Sequence, residues 1–564
     1  MGDVECPSIT IKKIKFNNGY TLELEDDDII ILVGCNNVGK SRTIKDIKND
    51  IIQNQQSKIV VERINYNEKN VNKENMVNFI KSNYIIDNDG YYQVPNDDFS
   101  TTGYNDNSFN NVNGEFRHLY SILFTYLGTE DRLLMTNPIN SFDTRKYSII
   151  NKIKHFRYNI SDLNKLNKYL CKAFNKKICV DEELSSITYK IGGNKEIYNL
   201  LHKNYIKSIS KLKSLENLSG QGDGIRSFAA ILSSLIAGKH KLFLIDEPET
   251  FLHPPQARML GKFMWELSEG KQYIIATHDI DFLKGILENN SNRVRVIKID
   301  REGNNNYFSE VNKKDLKEIS INKNFKYTNI LDGLFYGKVV LCENESDCKF
   351  YSTLLADIDS DKYLDTLFCG VGGKDAFKKI VPLLKKINIK YSVIADIDLI
   401  TNKKSMKDLL NSTKKSNYDQ ISKTHNNFIA LFEKEKFNSI RKQAVIRKEI
   451  EKCFTTDEYM TDDIAEKIKN LVKTPNNYRV LKEKGIFCVK NKTCKDEYNK
   501  IKEYLKKNNI YILDVGEIES FNPLGSYHGE LWVDEMFKEY RINSNKYNSA
   551  KKFICDVFNL KKKK

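Results

Sequence analysis

Short apolar runs recur along this chain, and the residues after each run say what it belongs to. Ile29–Val33 (IIILV) predicts a strand, and Ile44 and Ile47 beyond the following turn have the spacing of a helix. The runs in KLFLID (241–246) and QYIIAT (272–277) predict two more strands. Between the first strand and these lies a helix beginning near Gly224–Ile225, with Ile225, Phe228, Ile231, Leu232 and Leu235 on one face. The pattern then repeats. Val339, Val340 and Leu341 predict a strand, and Phe350, Leu354 and Leu355 the inner face of a helix. A glycine-rich turn precedes a helix with Phe377, Ile380, Val381 and Leu384 on one face, and KYSVIADIDLI (390–400) follows as a strand. Strands alternating with helices predict an α/β class chain. Three stretches resist assignment: a polar low-complexity loop at 96–116 (NDDFSTTGYNDNSFNNVNGEF) flanked by helical patterns around 117–127 and 145–175, a Lys-rich helical segment at 400–480, and a tail at 531–564.

Length narrows this further. A chain of 564 residues exceeds one core, so two to four domains are expected. No run of eighteen apolar residues occurs and the first residues carry no signal-peptide core, which leads us to expect a cytoplasmic protein without a membrane partner. Eleven scattered cysteines with no C-x-x-C pair fit reduced thiols and exclude a zinc-finger spacing. The net charge is +15, and residues 331–564 hold 44 Lys and Arg against 34 Asp and Glu. A basic half favours an anionic polymer partner through counterion release. Lys, Asn and Ile enrichment along the whole chain makes that a weak pointer.

The turns carry the chemistry. After Ile29–Val33 comes GCNNVGKS, a G-x4-G-K-S turn between a strand and a helix, the setting a phosphate-binding loop requires. Gly34, Asn36, Asn37, Gly39, Lys40, Ser41 and Arg42 form the candidate nucleotide site, with Lys40 on the β/γ oxygens and Ser41 on magnesium. Asp246 at the tip of the second strand is placed to hold that magnesium, and Glu247 to activate the attacking water. His278, ending the third strand, is placed to sense the γ-phosphate. LSGQG (218–222) precedes the helix and offers Ser219, Gly220 and Gly222 as further nucleotide contacts, with Gly224 as an alternative.

Together these elements resemble the ABC-type ATPases of the SMC and RecF kind, especially bacterial AAA-15/AAA-21 proteins with a DEPE…LHP motif. The resemblance implies ATP as ligand and head-to-head pairing of two copies, in which Ser219 and the helix-start amides of one copy complete the site of the other.

In the second half, Glu343, Glu345 and Asp347 crowd within five positions at a strand end, where mutual repulsion raises the cost of ionising them. A divalent cation removes that cost, and a solvated turn avoids it. Asp396 and Asp398, two apart at the end of the next strand, face the same side and can meet one ion. The order strand–Glu, helix, glycine turn, helix, strand–D-x-D resembles the TOPRIM domain, a Rossmann-like α/β fold. This implies Glu343, Asp347, Asp396 and Asp398 as metal ligands for Mg²⁺ or Mn²⁺, with Glu345 a spectator. Asn344 stands where such domains commonly carry glycine. A strand in IFCVK, a helix and a last strand resume after the insertion, followed by Asp514, Glu517 and Glu519. Glu519 resembles a late metal-binding acid, and Lys490 is the candidate cation beside a scissile phosphate, with Lys484 and Lys492 as competitors.

An ABC-type P-loop ATPase domain (1–330, with an insertion over about 60–200) followed by a TOPRIM domain (334–530) is the layout of the OLD (overcoming lysogenization defect) family nucleases, which include Gabija-type anti-phage proteins. The resemblance implies an ATP-gated, metal-dependent nuclease of bacterial defence, acting on DNA ahead of RNA, homodimeric or larger, and possible alongside a second defence protein. Glu247, Glu343, Asp396, Asp398, Lys490 and His278 would be its catalytic residues. Two alternatives stay open: a PARIS-like sensor ATPase whose TOPRIM effector cleaves RNA or tRNA, and a DNA-repair or chromosome-organising ATPase whose TOPRIM site does not cleave.

Overall fold

The structure is a computed structural model. It describes residues 6–560 apart from 54–57, 84, 87–88, 96–100, 111–115, 141–151, 183–185, 194–211, 213, 289–291, 304, 312–328, 414–416, 436–442, 455–459, 473–476 and 525–527. The chain divides into two compact units, Met1–Phe335 and Tyr336–Lys564.

Two of the four sheets among the described residues of the first unit build the site. A small antiparallel one joins β1 (Ser8–Phe16), β2 (Thr21–Glu23) and β4 (Val61–Lys69). The main sheet contains β3 (Ile29–Val33), β5 (Phe124–Leu127), β8 (Leu242–Asp246), β9 (Gln272–Ala276), β10 (Val294–Glu302) and β11 (Asn305–Val311), in the spatial order β11-β10-β3-β9-β8-β5. All pairings are parallel except β10 with β11. The inner strands are uniformly apolar because both faces are covered. Side chains of α1 (Lys40–Ile51) such as Ile44, Ile47 and Ile51 join Ile30, Leu32, Leu244 and Ile274 of the sheet in one buried core. Two regular stretches carry the rest: α2 (Thr129–Leu134) after β5, and α3 (Ile160–Phe174) with the hairpin β6 (Lys176–Glu182) and β7 (Ser186–Gly193). Then come α4 (Asp223–Ala237), α5 (Pro254–Glu266) and α6 (Ile280–Leu287).

Three expectations for 60–200 change. Residues 117–127 form a short 3-10 helix (Arg117–Ile122) and strand β5, not an α-helix. Backbone pairing with β8, from Leu242 opposite Phe124 to Ile245 opposite Leu127, outweighs the helical spacing there. Within the polar stretch 96–116, Thr101–Tyr104 is a strand and Asp106–Phe109 a turn of 3-10 helix. Asn105 caps it and Phe109 is buried, while the rest of that stretch lies outside the described residues or is irregular. The region is therefore woven into the unit: β4 pairs with β1 and β5 with β8.

The second unit has a four-stranded parallel sheet in the order β13-β12-β14-β15: β12 (Lys338–Cys342), β13 (Thr366–Gly370), β14 (Tyr391–Ala395) and β15 (Ile510–Ile512). Its helices include α7 (Glu345–Ile358), α8 (Phe377–Lys386), α9 (Asn477–Lys484) and α10 (Lys492–Lys506). The segment 400–480 is helical as expected, and its last helix, α9, returns to the sheet's end. IFCVK is not a strand. Gly485–Cys488 is a 3-10 turn. Gly485 adopts φ 65°, and a side chain there would meet the Asp514 carbonyl at 2.0 Å. The tail forms α11 (Gly529–Ile542) and α12 (Asn548–Val557). Trp532, Val533, Met536, Tyr547 and Ile554 share a buried core with Phe350, Tyr351, Leu354 and Leu355 of α7.

Candidate nucleotide site and acidic metal centre

Parallel strands place their C-terminal ends on one rim, which is where open α/β sheets bind ligands. In the first unit Leu32 pairs with Ala276, Ala276 with Asp246 and Ile245 with Leu127, so the turns after β3, β9, β8 and β5 are neighbours. The turn after β3 needs its glycines. Gly34 has φ 146° and a Cβ there would lie 2.2 Å from the Ile299 carbonyl, while Gly39 has φ 99° and caps α1. Asn37 is also left-handed, at φ 61°, and Asn36 and Asn37 are exposed at the turn. Lys40 is buried, its Nζ 2.7 Å from the carbonyls of Gly34 and Cys35. Burial pulls its pKa down, against the attraction of Cys35, Glu247, Glu249 and Asp246. Arg42 pairs along the helix with Asp46 at 2.7 Å.

Asp246 is raised by burial, and a hydrogen bond from Ser41 acts the other way. The Ser41 hydroxyl and the Asp246 carboxylate therefore meet, as a shared ion would require. Asp246 Oδ1 is buried without a hydrogen-bond partner among the described residues. Glu247 has φ 47°, a strained value for a non-glycine residue, and its Oε1 lies 3.5 Å from His278 Nδ1. Ser219 sits in a 3-10 turn (Leu218–Gly220), and Gly220 and Gly222 have open space where a side chain would project. Gly224 differs: its Cβ would lie 2.6 Å from the Phe251 carbonyl, so its smallness serves packing on the turn after Asp246.

Two buried residues were not singled out from the pattern. Arg132 on α2 donates to the carbonyls of Asp246 (2.7 Å) and Glu247 (3.0 Å). Glu249 accepts from the Thr277 hydroxyl (2.7 Å) and the His278 N–H (2.9 Å). The DEPE spacing pointed at Glu249. Nothing local pointed at Arg132, over a hundred positions earlier in the chain.

In the second unit, Val340, Leu341, Ser392, Val393, Ile394 and their partners hold β12, β14 and β15 in register, and an acid follows each strand end. Ligand oxygens of Glu343, Asp396 and Asp398 lie within 4.8 Å of one another. Ligand atoms of Glu517, Glu519 and His528 form a second such group. Asp347 belongs to neither. Its carboxylate accepts the Asn344 N–H at 2.9 Å and caps α7, though it still acts electrostatically on Asp396 and is acted on by Glu519. The Asn344 position is thus an ordinary extended cap (φ −132°), and no glycine is needed there. Glu345 is exposed, as expected of a spectator.

Burial pushes Glu343 up to about 7, with Asp398 adding to it, and Asp347 up to about 6. Asp396 is pushed well up by burial and then by Glu343 and Asp347. Lys490 is exposed, and its N–H donates to Glu435. Among the described residues, the lysines within 4 Å of these carboxylates are Lys374, 2.7 Å from Asp398, and Lys482, 3.7 Å from Asp396 and 3.8 Å from Glu517. Burial opposes the Lys482 charge, but Asp396, Asp398 and Glu517 outweigh it and hold its pKa above the ordinary value. Lys484 and Lys492 are not within that distance either. Lys374 lies in the glycine-rich turn, Lys482 at the end of the inserted helices, and neither had a local signature. His528 comes from the turn that caps α11.

Known families match part of the chain in each half. An AAA domain family (AAA_21), whose description also names the AbiEii toxin of a Type IV TA system, matches residues 87–283. The family described as overcoming lysogenization defect protein-like, TOPRIM domain, matches residues 334–398. The Old nuclease of Escherichia phage P2 is 25% identical over 170 residues, 28% of this chain and 28% of that protein. The chain has the ATPase-plus-TOPRIM architecture of the OLD family. The match spans little more than a quarter of the phage protein's length. An SMC head domain from Thermotoga maritima overlaps 54% of this chain and 99% of its own at 12% identity and a TM-score of 0.29. An SMC head domain with an extended coiled coil, derived from Pyrococcus furiosus and bound to the C-terminal domain of ScpA, overlaps 56% and 98% at 10% identity and a TM-score of 0.31. The OLD pair of domains implies use of a nucleotide and a divalent metal. Among the described residues no helix is long and apolar enough to cross a membrane.

Proposed function

We propose that this chain is an ATP-hydrolysing, divalent-metal-dependent phosphodiesterase of bacterial anti-phage defence, acting on nucleic acid, DNA ahead of RNA. The convergence of Glu343, Asp396, Asp398, Glu517 and Glu519 on three adjacent strand ends carries this reading. The all-oxygen set of Glu343, Asp396 and Asp398 suits a hard cation, and Asp398 Oδ1 is buried with no hydrogen-bond partner among the described residues. Glu343, Asp396 and Asp398 would hold one Mg²⁺ or Mn²⁺, and Glu517, Glu519 and His528 a second. Bound there, such ions would supply activation of water and stabilisation of the leaving oxygen.

The chain's own residues do the rest. Lys482, between the two acid groups, balances their charge and offers a cation to a phosphate oxygen. Lys374 orients Asp398. In the first unit the glycine turn and Lys40 cradle the phosphates of ATP, and Ser41 and Asp246 are placed for its magnesium. Glu247 takes the proton of the attacking water, with His278 beside it. The open positions at Gly220 and Gly222 leave the signature turn free to meet nucleotide held by a second copy, which supports a homodimer through the ATPase units. Defence function and any second defence protein rest on the family resemblance.

The test is cleavage of supercoiled plasmid and of tRNA by the purified full chain, with Mn²⁺, Mg²⁺ or EDTA, against Asp396→Ala. Metal-dependent cleavage lost in the variant supports the reading. Identical residual cleavage in wild type and variant would assign it to a contaminant and leave the site non-catalytic.

A further inference from the structure

The hydrolytic turn Asp246–Glu249 is held from behind by two buried side chains, Arg132 and Glu249, the second of which also approaches the His278 ring (Oε1 to Nδ1 3.3 Å). Arg132 is fully buried on α2. One guanidinium nitrogen reaches the carbonyls of Asp246 (2.7 Å) and Leu127 (3.3 Å), and another reaches the carbonyl of Glu247 (3.0 Å) and Thr129 Oγ1 (3.3 Å). It therefore joins two parallel strand ends, β5 and β8, and grips both peptides around Glu247. Glu249, 4% exposed, reaches the other way and ties the turn to the end of β9 through Thr277 and His278.

Strain explains why such grips are needed. Glu247 sits at φ 47° and Phe251 at φ 71°, left-handed conformations that residues other than glycine keep only when the surrounding structure imposes them. Left alone, the turn would relax and carry the Glu247 carboxylate away from the nucleotide rim. The pair is also incompletely satisfied. Arg132 Nε and Glu249 Oε2 are both buried with no hydrogen-bond partner among the described residues, a costly arrangement unless the turn's geometry depends on it. Burial pulls Arg132 down, and the carboxylates that act against this are Glu249 first and Asp246 second, while burial raises Glu249 and its contacts with His278 and Thr277 act against that.

We propose that Arg132 and Glu249 are a pair of positioning residues that hold Glu247 and His278 in their hydrolytic geometry, acting on the rate of ATP hydrolysis and not on ATP binding. This rests on the ATPase reading of the site. A grip on the peptide behind Glu247 leaves the phosphate contacts of Lys40 and the glycine turn unchanged. Loosening it spreads the carboxylate over non-productive orientations, and small misplacements lower rates by about 10–100-fold.

The experiment measures ATP turnover and, separately, equilibrium binding of a non-hydrolysable ATP analogue by the full chain. Arg132→Lys keeps the charge but loses the two-carbonyl fork, and Glu249→Gln keeps the shape but loses the charge. Both should bind the analogue within about twofold of wild type and lose kcat about 10-fold or more. Added to Glu247→Gln, either change should lower the residual rate less than about twofold, since the group it positions is gone. If Arg132→Lys does not fold, Glu249→Gln alone decides. Affinity and rate falling together, or losses that multiply in the Glu247→Gln background, would overturn the inference and leave the pair a general packing feature. A wild-type chain that binds the analogue but hydrolyses no ATP, under conditions where nuclease activity is present, would overturn the ATPase reading and this inference with it.

Discussion

The two units use the same device, a parallel sheet with carboxylates at its C-terminal rim, for opposite charges. In the first, Asp246, Glu247 and Glu249 are met by buried Lys40 and Arg132, and a glycine turn points its backbone at the same rim. That rim is built to receive an anion with its counter-ion. In the second, six acids (Glu343, Asp347, Asp396, Asp398, Glu517 and Glu519) face two lysines, Lys374 and Lys482. There burial first, and neighbouring carboxylates after it, raise Glu343 to about 7 and Asp347 to about 6. A rim whose buried carboxylates resist ionisation is one that bound cations would relieve. The comparison also separates structural charge from chemical charge. Asp347 gives its carboxylate to a backbone N–H, whereas, among the described residues, Asp246 and Asp398 each keep a buried oxygen without a hydrogen-bond partner.

The largest effect should come from Asp396→Ala. Nucleic-acid cleavage should fall by roughly 10³-fold or more, the order expected when a metal ligand is lost, while the ATP turnover of the same preparation changes less than about twofold. Equal loss of both activities would end the claim that the two rims are chemically independent.

The first rim divides in its turn. Glu247→Gln should lower ATP turnover by about 10²–10³-fold with analogue binding retained, and Lys40→Ala should weaken binding itself. Titration calorimetry showing wild-type binding in Lys40→Ala would remove the phosphate cradle from the account.

A smaller effect distinguishes the lysines. Lys482→Ala should reduce cleavage by about 10–100-fold, with Lys482→Arg recovering part of it, and Lys490→Ala should stay within about twofold of wild type. The reverse ranking, read from initial rates at saturating Mn²⁺, would restore Lys490 and displace the cation placed between the acid groups.

The smallest effect is on stability. With EDTA, the folded pKa values of Glu343 and Asp347, about 7 and about 6, exceed the ordinary carboxylate values near 4. Between those limits the folded state holds more protons than the unfolded one, so stability falls as pH rises from about 4 to about 7 and levels off above. Bound Mn²⁺ removes the same repulsion, so it should raise the melting temperature by a few °C more at pH 8 than at pH 5. A Mn²⁺ increment that does not change with pH would mean the raised pKa values do not arise at the metal site.

Reading the chain in order found what is local. The P-loop, Asp246–Glu247, His278 and the Asp396/Asp398 pair each need only one strand and the few residues after it, because a strand fixes where its tip points. The same locality misled at 117–127, where helical spacing lost to pairing with β8, and at IFCVK, where the close approach of Gly485 to Asp514 makes a turn. Asp347 was read as a ligand, though its nearest partner is the backbone of its own helix start.

Local pattern along the chain sets the class of fold, the order of the two chemistries and the acids at each strand tip. Which cations meet those acids depends on packing in three dimensions. Lys482 arrives on α9 at the close of an insertion, His528 in the turn before α11, and Arg132 on α2, the helix after an edge strand paired beside β8. Each is brought to its site by sheet order and core packing, which join residues that no spacing along the chain connects.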